Sequence, residues 1–292
     1  MGLTAWLAGR IGLDLGERLA RPVPRESAWS VAAGAALLTL VAAQAASGAL
    51  LAAYYKPAWK GAHASVEMVL TQIPAGWLVR SVHVWGAHLI LAGTLLHLAR
   101  TFLRGGARAP RELAWMTLVL LMAAAAGAAI TGQMLPMDEE AVAGAFVASD
   151  FANAAGVGKL VRGGPDVGEF MLGRFFAAHA FWIPAAGLAL LAVHLAASAR
   201  HPGGGEPGPT ALRCVGLPAL GTVALLATLA VAWPAGLGPA SDGSHVTEGT
   251  RPIWLFVPAY WALRVAPAWA VLLATAAVLA GALALPFVRR RA

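Results

Sequence analysis

The chain has 292 residues, of which 59% are hydrophobic and only 12% charged, with a formal net charge of +7. A soluble domain of this length has no use for so much apolar surface, so the composition excludes a soluble enzyme and indicates a polytopic membrane protein. The basic residues are scattered between apolar segments rather than gathered in one domain, which excludes a nucleic-acid partner. The single cysteine, Cys214, excludes an internal disulfide and any iron–sulfur cluster ligated by this chain's cysteines alone.

Residues 3–20 predict an interfacial helix. Leu3, Leu7, Ile11, Leu15 and Leu19 form one stripe, and Arg10, Asp14, Glu17 and Arg18 fall off it. No cleavable signal is expected, because no compact apolar run ends in a small-residue site. The first span covers about 28–55 and holds Gly34 and Gly48, 14 residues apart. Small residues in membrane helices ordinarily permit close packing; here the interval also suggests room for a flat cofactor at two depths. Residues 56–76 read as a loop. The second span, 77–103, carries His83, His88 and His97, although ionisable groups at membrane depth are costly. A third span follows Pro110–Glu112 and ends near Gly132–Pro136. The connection 137–173 is too polar to cross, but its FV and KLV runs suggest short surface helices. A fourth span, 174–200, carries His179 and His194.

His83 and His97 are 14 residues apart and His179 and His194 are 15 apart, about 21 and 22 Å along a helix. Two helices offering imidazoles at matching depths could clamp two metal centres stacked across the bilayer. Any one of these histidines alone could serve as an interhelical hydrogen-bond partner instead. Bis-imidazole ligation suits a low-spin haem that transfers electrons. Zinc fits less well, because no Cys, Asp or Glu accompanies the four. Arg80, Arg100 and Arg174 lie about a turn from histidines and could pair with haem propionates. His63, His88, His201 and His245 find no partner at matching depth and read as structural or exposed.

The segment His201–Thr210 is the clearest linker. Two further spans, near 211–233 and 267–287, flank a loop with a tryptophan-rich short helix at 254–264, and the chain ends in Arg289–Arg291. The predicted organisation is thus an all-α bundle: an interfacial segment (1–25), a four-helix domain (26–202), a linker (203–210) and a two-span extension (211–292). One side of the bundle carries 13 of the 21 Lys/Arg and 5 of the 14 Asp/Glu. That side should be cytoplasmic, with both termini on it, in a bacterial inner membrane. His83 and His179 then lie toward the outer face and His97 and His194 toward the inner.

The two histidine pairs, Gly34/Gly48, YYKP (54–57), GWLVRSVH (76–83), PRELAW (110–115), Thr131–Gly132 and RFFAAH (174–179) together resemble the dihaem cytochrome b of bc-type complexes, especially its chloroplast and cyanobacterial branch. The likeness covers about 25–290. The linker falls where that branch divides cytochrome b from a smaller companion subunit, and RPIWLFVPAYWALRVAP (251–267) is similar to the companion's segment at the quinol-oxidation site. The resemblance implies two non-covalent b haems, the outer on His83 and His179 and the inner on His97 and His194, with Gly34, Gly48 and Gly132 clearing space. It also implies electron transfer between the quinone pool and a partner, which is a c-type cytochrome or iron–sulfur protein of a multi-subunit respiratory or photosynthetic complex. Beside the inner haem, Arg200 and His201 become candidates for a quinone site.

Departures accompany the likeness. The family's Pro-Glu-Trp-Tyr reads Pro252, Ile253, Trp254, Leu255, and its Pro-Trp after the third span reads Pro136, Met137. Leu118 stands where a glycine is expected, Ala32 where the chloroplast branch attaches an extra haem, and the companion's last span is missing. Outer quinol oxidation by the usual route is therefore expected to be lost or rerouted, with the outer haem exchanging electrons with a partner protein. A full bc-type quinol oxidase core remains an alternative, as does a haem-free transporter or scaffold with structural histidines.

Overall fold

The computed structural model describes residues 20–200, 206–241 and 252–288; the expected interfacial helix lies outside them, as do His201 and His245. Ten helices are formed there. They are α1 (Arg25–Ala52), α2 (Ala62–Thr71), α3 (Gly76–Leu103), α4 (Glu112–Gln133), α5 (Glu139–Ala154), α6 (Gly158–Arg162), α7 (Glu169–Arg200), α8 (Ala211–Ala232), α9 (Val257–Ala262, after a 3₁₀ turn at Trp254–Phe256) and α10 (Ala268–Val288). Six of these, α1, α3, α4, α7, α8 and α10, are long and apolar enough to cross a membrane. Leu96, Trp182, Leu220 and Val278 are exposed on their outer faces, as lipid contact requires. The protein is an all-α integral membrane protein. The only sheet among the described residues is a short antiparallel pairing of Pro22–Pro24 with Pro207–Thr210. It ties part of the expected linker to the start of α1.

Element boundaries are set by local chemistry. Gly76 opens α3 because a Cβ there would collide with the Val69 carbonyl, and Ala75 before it takes the left-handed conformation (φ 56°). Asp138 caps α5, its Oδ1 accepting from the Ala141 N–H at 2.9 Å. The α5 and α6 helices occupy the FV and KLV runs of the polar connection. The loop expected at 56–76 is instead largely α2, whose Ala62 is fully buried against Met137, Val142 and Leu172. A ten-residue helix carrying one acid and no run of turn residues is stabilised by that contact, which local sequence does not display.

α1 packs along α3, α4 along α7, and α3 against α4, whereas packing between the histidine helices α3 and α7 is sparse. The last two spans do not form a separate layer. α8 lies against α1 and α3, and α10 lies against α4 and α5, with Trp115 Nε1 donating to the Ala282 carbonyl at 2.7 Å. From the end of α8 the segment 233–241 crosses the end of the bundle nearer His83 as a strap. Trp85 Nε1 donates to the Trp233 carbonyl (2.8 Å), the Ala235 N–H donates to Ser81 Oγ (2.9 Å), and His63 Nε2 bonds the Gly238 carbonyl (2.8 Å). Ser81 is fully buried. Ser81→Ala is expected to cost about 1 kcal/mol, the net worth of one such hydrogen bond. It should also speed proteolytic cleavage within 233–241, read by timed digestion of the purified protein.

Candidate functional site: paired imidazoles across a membrane cavity

The sparse α3–α7 interface is a cavity of about 2320 Å³ that runs from Pro22–Pro24 at one end to Pro252–Trp254 at the other. Ligand pockets for one drug-sized molecule occupy roughly 300–1,000 Å³, so this space admits more than one large ligand. All four histidines singled out by spacing line it. His83 faces His179 with ring centroids 5.9 Å apart and planes crossed at 75°, and His97 faces His194 at 6.4 Å and 78°.

Three of the four imidazoles are oriented by hydrogen-bond partners on neighbouring helices. His83 Nδ1 lies 3.0 Å from Ser47 Oγ, and His179 Nδ1 donates to the Ala128 carbonyl at 2.9 Å. His194 Nδ1 donates to the Ala114 carbonyl at 3.0 Å and lies 3.1 Å from Thr117 Oγ1. Bonding through Nδ1 fixes the tautomer and leaves Nε2 as the metal-binding nitrogen. His97 differs: its Nδ1 is buried with no hydrogen-bond partner among the described residues, and its ring stacks on Trp29 (5.9 Å, 12°).

The unequal spacing of the two pairs has a structural cause. Ala178–Trp182, which includes His179, is one turn of π-helix. Pro184 cannot donate to the carbonyl four residues back, and the widened turn accommodates the missing bond. A π-bulge inserts one residue without advancing the helix by a full step. Fifteen residues on α7 thus span what fourteen span on α3, and both pairs stay level.

The glycines divide into two kinds. A Cβ at Gly132 would collide with the His179 ring, and one at Gly48 would come within 3.1 Å of His83 Cε1, so these two make room for imidazoles. Gly34 has nothing within 4 Å of an added Cβ and opens directly on the cavity. Leu118 fills the facing wall, buried to 3% exposure.

The cations are less uniformly placed. Arg80 lines the cavity, donating to the carbonyls of Ala235 and Gly236 in the strap. Arg100 lies over the Trp29 ring at 4.5 Å, behind His97. Arg174 is exposed on the far side, against Gly163, and does not reach the cavity lining, and neither does Arg200. At the end nearer His97 and His194 the lining cation is Arg111. His88 lines the cavity beside Trp85 (5.7 Å), and His63 is held by the strap. Ser47, Thr117 and Trp29 are site residues that histidine spacing alone does not reveal. Ser47 adjoins Gly48, which was the available hint.

The donor set fits haem iron. Two metal–nitrogen bonds of about 2 Å plus the inner halves of two rings come to about 6 Å, the separation of both pairs. Among the described residues no cluster of three or more His, Cys, Asp or Glu could hold a metal ion. Two imidazoles fall short of the four ligands a structural zinc takes, but they suit an iron whose other positions are filled by a macrocycle. Crevice shape, apolar walls and level paired donors all agree with that group.

Comparison with known proteins decides the family. The family model described as Cytochrome b/b6/petB matches residues 19–201. The chain belongs to the cytochrome b/b6 family. It is 37% identical to cytochrome b6 of Emiliania huxleyi over 166 residues, 55% of this chain and 77% of that protein. It is also 35% identical to that of Mastigocladus laminosus over 156 residues, 52% and 73% of the two chains. A solved chain of a hyperthermophilic respiratory complex III shares the fold, with a TM-score of 0.83 at 23% identity, covering 98% of this chain and 82% of its own. The chain is thus a haem b-binding, electron-transferring membrane cytochrome. Gly132→Ala drives a methyl into the His179 ring and is expected to lower haem content well below that of Gly34→Ala, read from absorption per protein after purification.

Proposed function

We propose that the chain carries two b-type haems and moves electrons across the membrane between the quinone pool and a redox partner in a bc-type complex. The observation that carries this reading is the pair of level, facing imidazole couples in one cavity. His83 and His179 hold the outer group and His97 and His194 the inner. Bound there, each haem would supply a one-electron carrier held between two imidazoles. Ser47 and the Ala114 and Ala128 carbonyls hold the rings in register and strengthen their nitrogens as donors. The apolar walls of α1 and α4 exclude water between the two levels. The stack spans about 21 Å along α3, most of a hydrocarbon core of about 30 Å.

The end of the family match at residue 201 supports a cytochrome domain at 26–202, a linker at 203–210 and a companion-like extension at 211–292. Basic residues concentrated on the side of α3's last turn support cytoplasmic termini in a bacterial inner membrane. The partners are quinone, and a c-type cytochrome or iron–sulfur protein. At the outer end Ile253 lines the cavity where the resembling proteins carry a glutamate, which supports a changed outer quinol route. At the inner end a quinone site is supported by Arg111 on the cavity wall; Arg200 does not line it, and His201 lies outside the described residues.

A pyridine haemochrome assay is expected to give two haems b per chain. His83→Ala or His179→Ala should remove one, and His97→Ala or His194→Ala the other. A stoichiometry of one or none, or a covalent c-type spectrum, contradicts this reading. For the inner site, Arg111→Gln is expected to slow reoxidation of the inner haem by quinone several-fold while leaving haem content intact, read by stopped-flow absorption.

A further inference from the structure

The outer end of the cavity has lost one carboxylate and gained others. Ile253 cannot take a proton, yet it lines the cavity together with Asp138, Glu139 and Glu140 at the start of α5. A tight turn brings these acids there: Met137 sits in the left-handed conformation (φ 55°), buried against Ala62, Val142 and Leu172. It swings the chain from the end of α4 across the cavity mouth.

The three acids are not equivalent. Both carboxylate oxygens of Asp138 are occupied by backbone N–H groups, Oδ1 by Ala141 and Oδ2 by Gly238 of the strap at 3.2 Å. Its charge is further balanced by Arg80. Neither oxygen is left free to meet a bound hydroxyl. Glu139 lines the wall too but is less exposed to the surrounding water than Glu140. Glu140 lines the same wall and is partly exposed, so it touches the cavity and the outer water together. Burial, and then the neighbouring Asp138 charge, raise its proton affinity above that of an ordinary glutamate.

We propose that Glu140 is the proton-accepting carboxylate of an outer quinol-oxidation site, in place of the one that Ile253 lacks. This rests on the electron-transfer reading above, and it favours a rerouted outer site over a lost one. Oxidation of one quinol to quinone releases two protons and two electrons. One hydroxyl O–H breaks as its proton passes to Glu140, and the second proton leaves to water at the cavity mouth. The two electrons would leave singly, one to the haem that His83 and His179 would hold and the other to a one-electron acceptor on a partner iron–sulfur protein. Glu140 then releases its proton to the outer water it already contacts.

The charged and titratable groups around Glu140 can be named element by element. Asp138 and Glu139 share its turn; Arg80 of α3 and Tyr55 after α1 stand on the same cavity end. His63 of α2 is bonded to the strap, and Arg162 of α6 is bonded to Ser149 and Asn153 farther along α5. α10, packed on α5, carries no titratable residue. Glu140 must be ionised to accept a proton, so fast outer-site reduction is retained above its pKa and lost as pH falls through it. That limb lies above the ordinary glutamate value of about 4.3.

The test is single-turnover reduction of the haems by quinol in the intact complex, with the pH profile, for wild type, Glu140→Gln, Glu139→Gln and the double variant Glu140→Gln/Ile253→Glu. Redox-difference infrared spectra supply a second readout. The expected result is a fall on the order of 100-fold in Glu140→Gln, with loss of the acidic limb and of a protonated-carboxyl C=O band. Haem spectra should stay unchanged in all variants, Glu139→Gln should match wild type, and Ile253→Glu should restore the rate. Wild-type kinetics, pH limb and infrared band in Glu140→Gln would overturn the assignment while leaving the electron-transfer reading intact. A wild-type complex that quinol does not reduce at all overturns both.

Discussion

Four imidazoles at membrane depth dictate this structure. An ionisable ring among lipid-facing helices is costly and is found facing the bundle interior, where it can be paired. In three of the four the inner nitrogen is satisfied by Ser47 or by the carbonyls of Ala128 and Ala114. The outer nitrogens face one another in pairs across a gap that α3 and α7 do not close. A group that bridges each pair turns that cost into binding energy. The glycines at 48 and 132, the π-helical turn at 178–182 and the open space beside Gly34 all serve the same separation.

The π-helical turn shows how finely the register is kept. Without it, the fifteenth residue on α7 would sit about 100° further round the helix and 1.5 Å deeper than its counterpart on α3. One of the two pairs would then lose its level. Pro184 is what makes the wider turn inexpensive, since it removes a donor that the α-helical ladder would otherwise supply. The last two spans buttress the same geometry from outside, α8 on the α1–α3 side and α10 on the α4 side. The strap from α8 closes the end nearer His83 through Trp85, Ser81 and His63.

Much of this was legible in the sequence because membrane helices announce themselves by length and apolarity, and because histidine at depth is rare. The six spans, the two histidine pairs and the glycines opposite them were readable for that reason. The α2 helix was not, since its stability comes from burying Ala62 against residues more than 70 positions away. The partners of the imidazole Nδ1 atoms were mostly hidden, because a backbone carbonyl leaves no mark on residue type. Arginine placement was read from helical proximity alone, and there the strap and Trp29 had the deciding word: Arg80 binds strap carbonyls, Arg100 stacks on Trp29, and Arg174 faces away. The outer acids at 138–140 were visible as residues, but the turn at Met137 that aims them at the cavity was not.

The central claim is that one cavity holds two irons, each between facing imidazoles of α3 and α7. An anomalous difference map at the iron absorption edge, from crystals of the purified complex, tests it most directly. Two peaks are predicted within this chain, one between His83 and His179 and one between His97 and His194, separated by about 21 Å along α3. A single peak, or peaks lying away from the histidine pairs, would contradict the account.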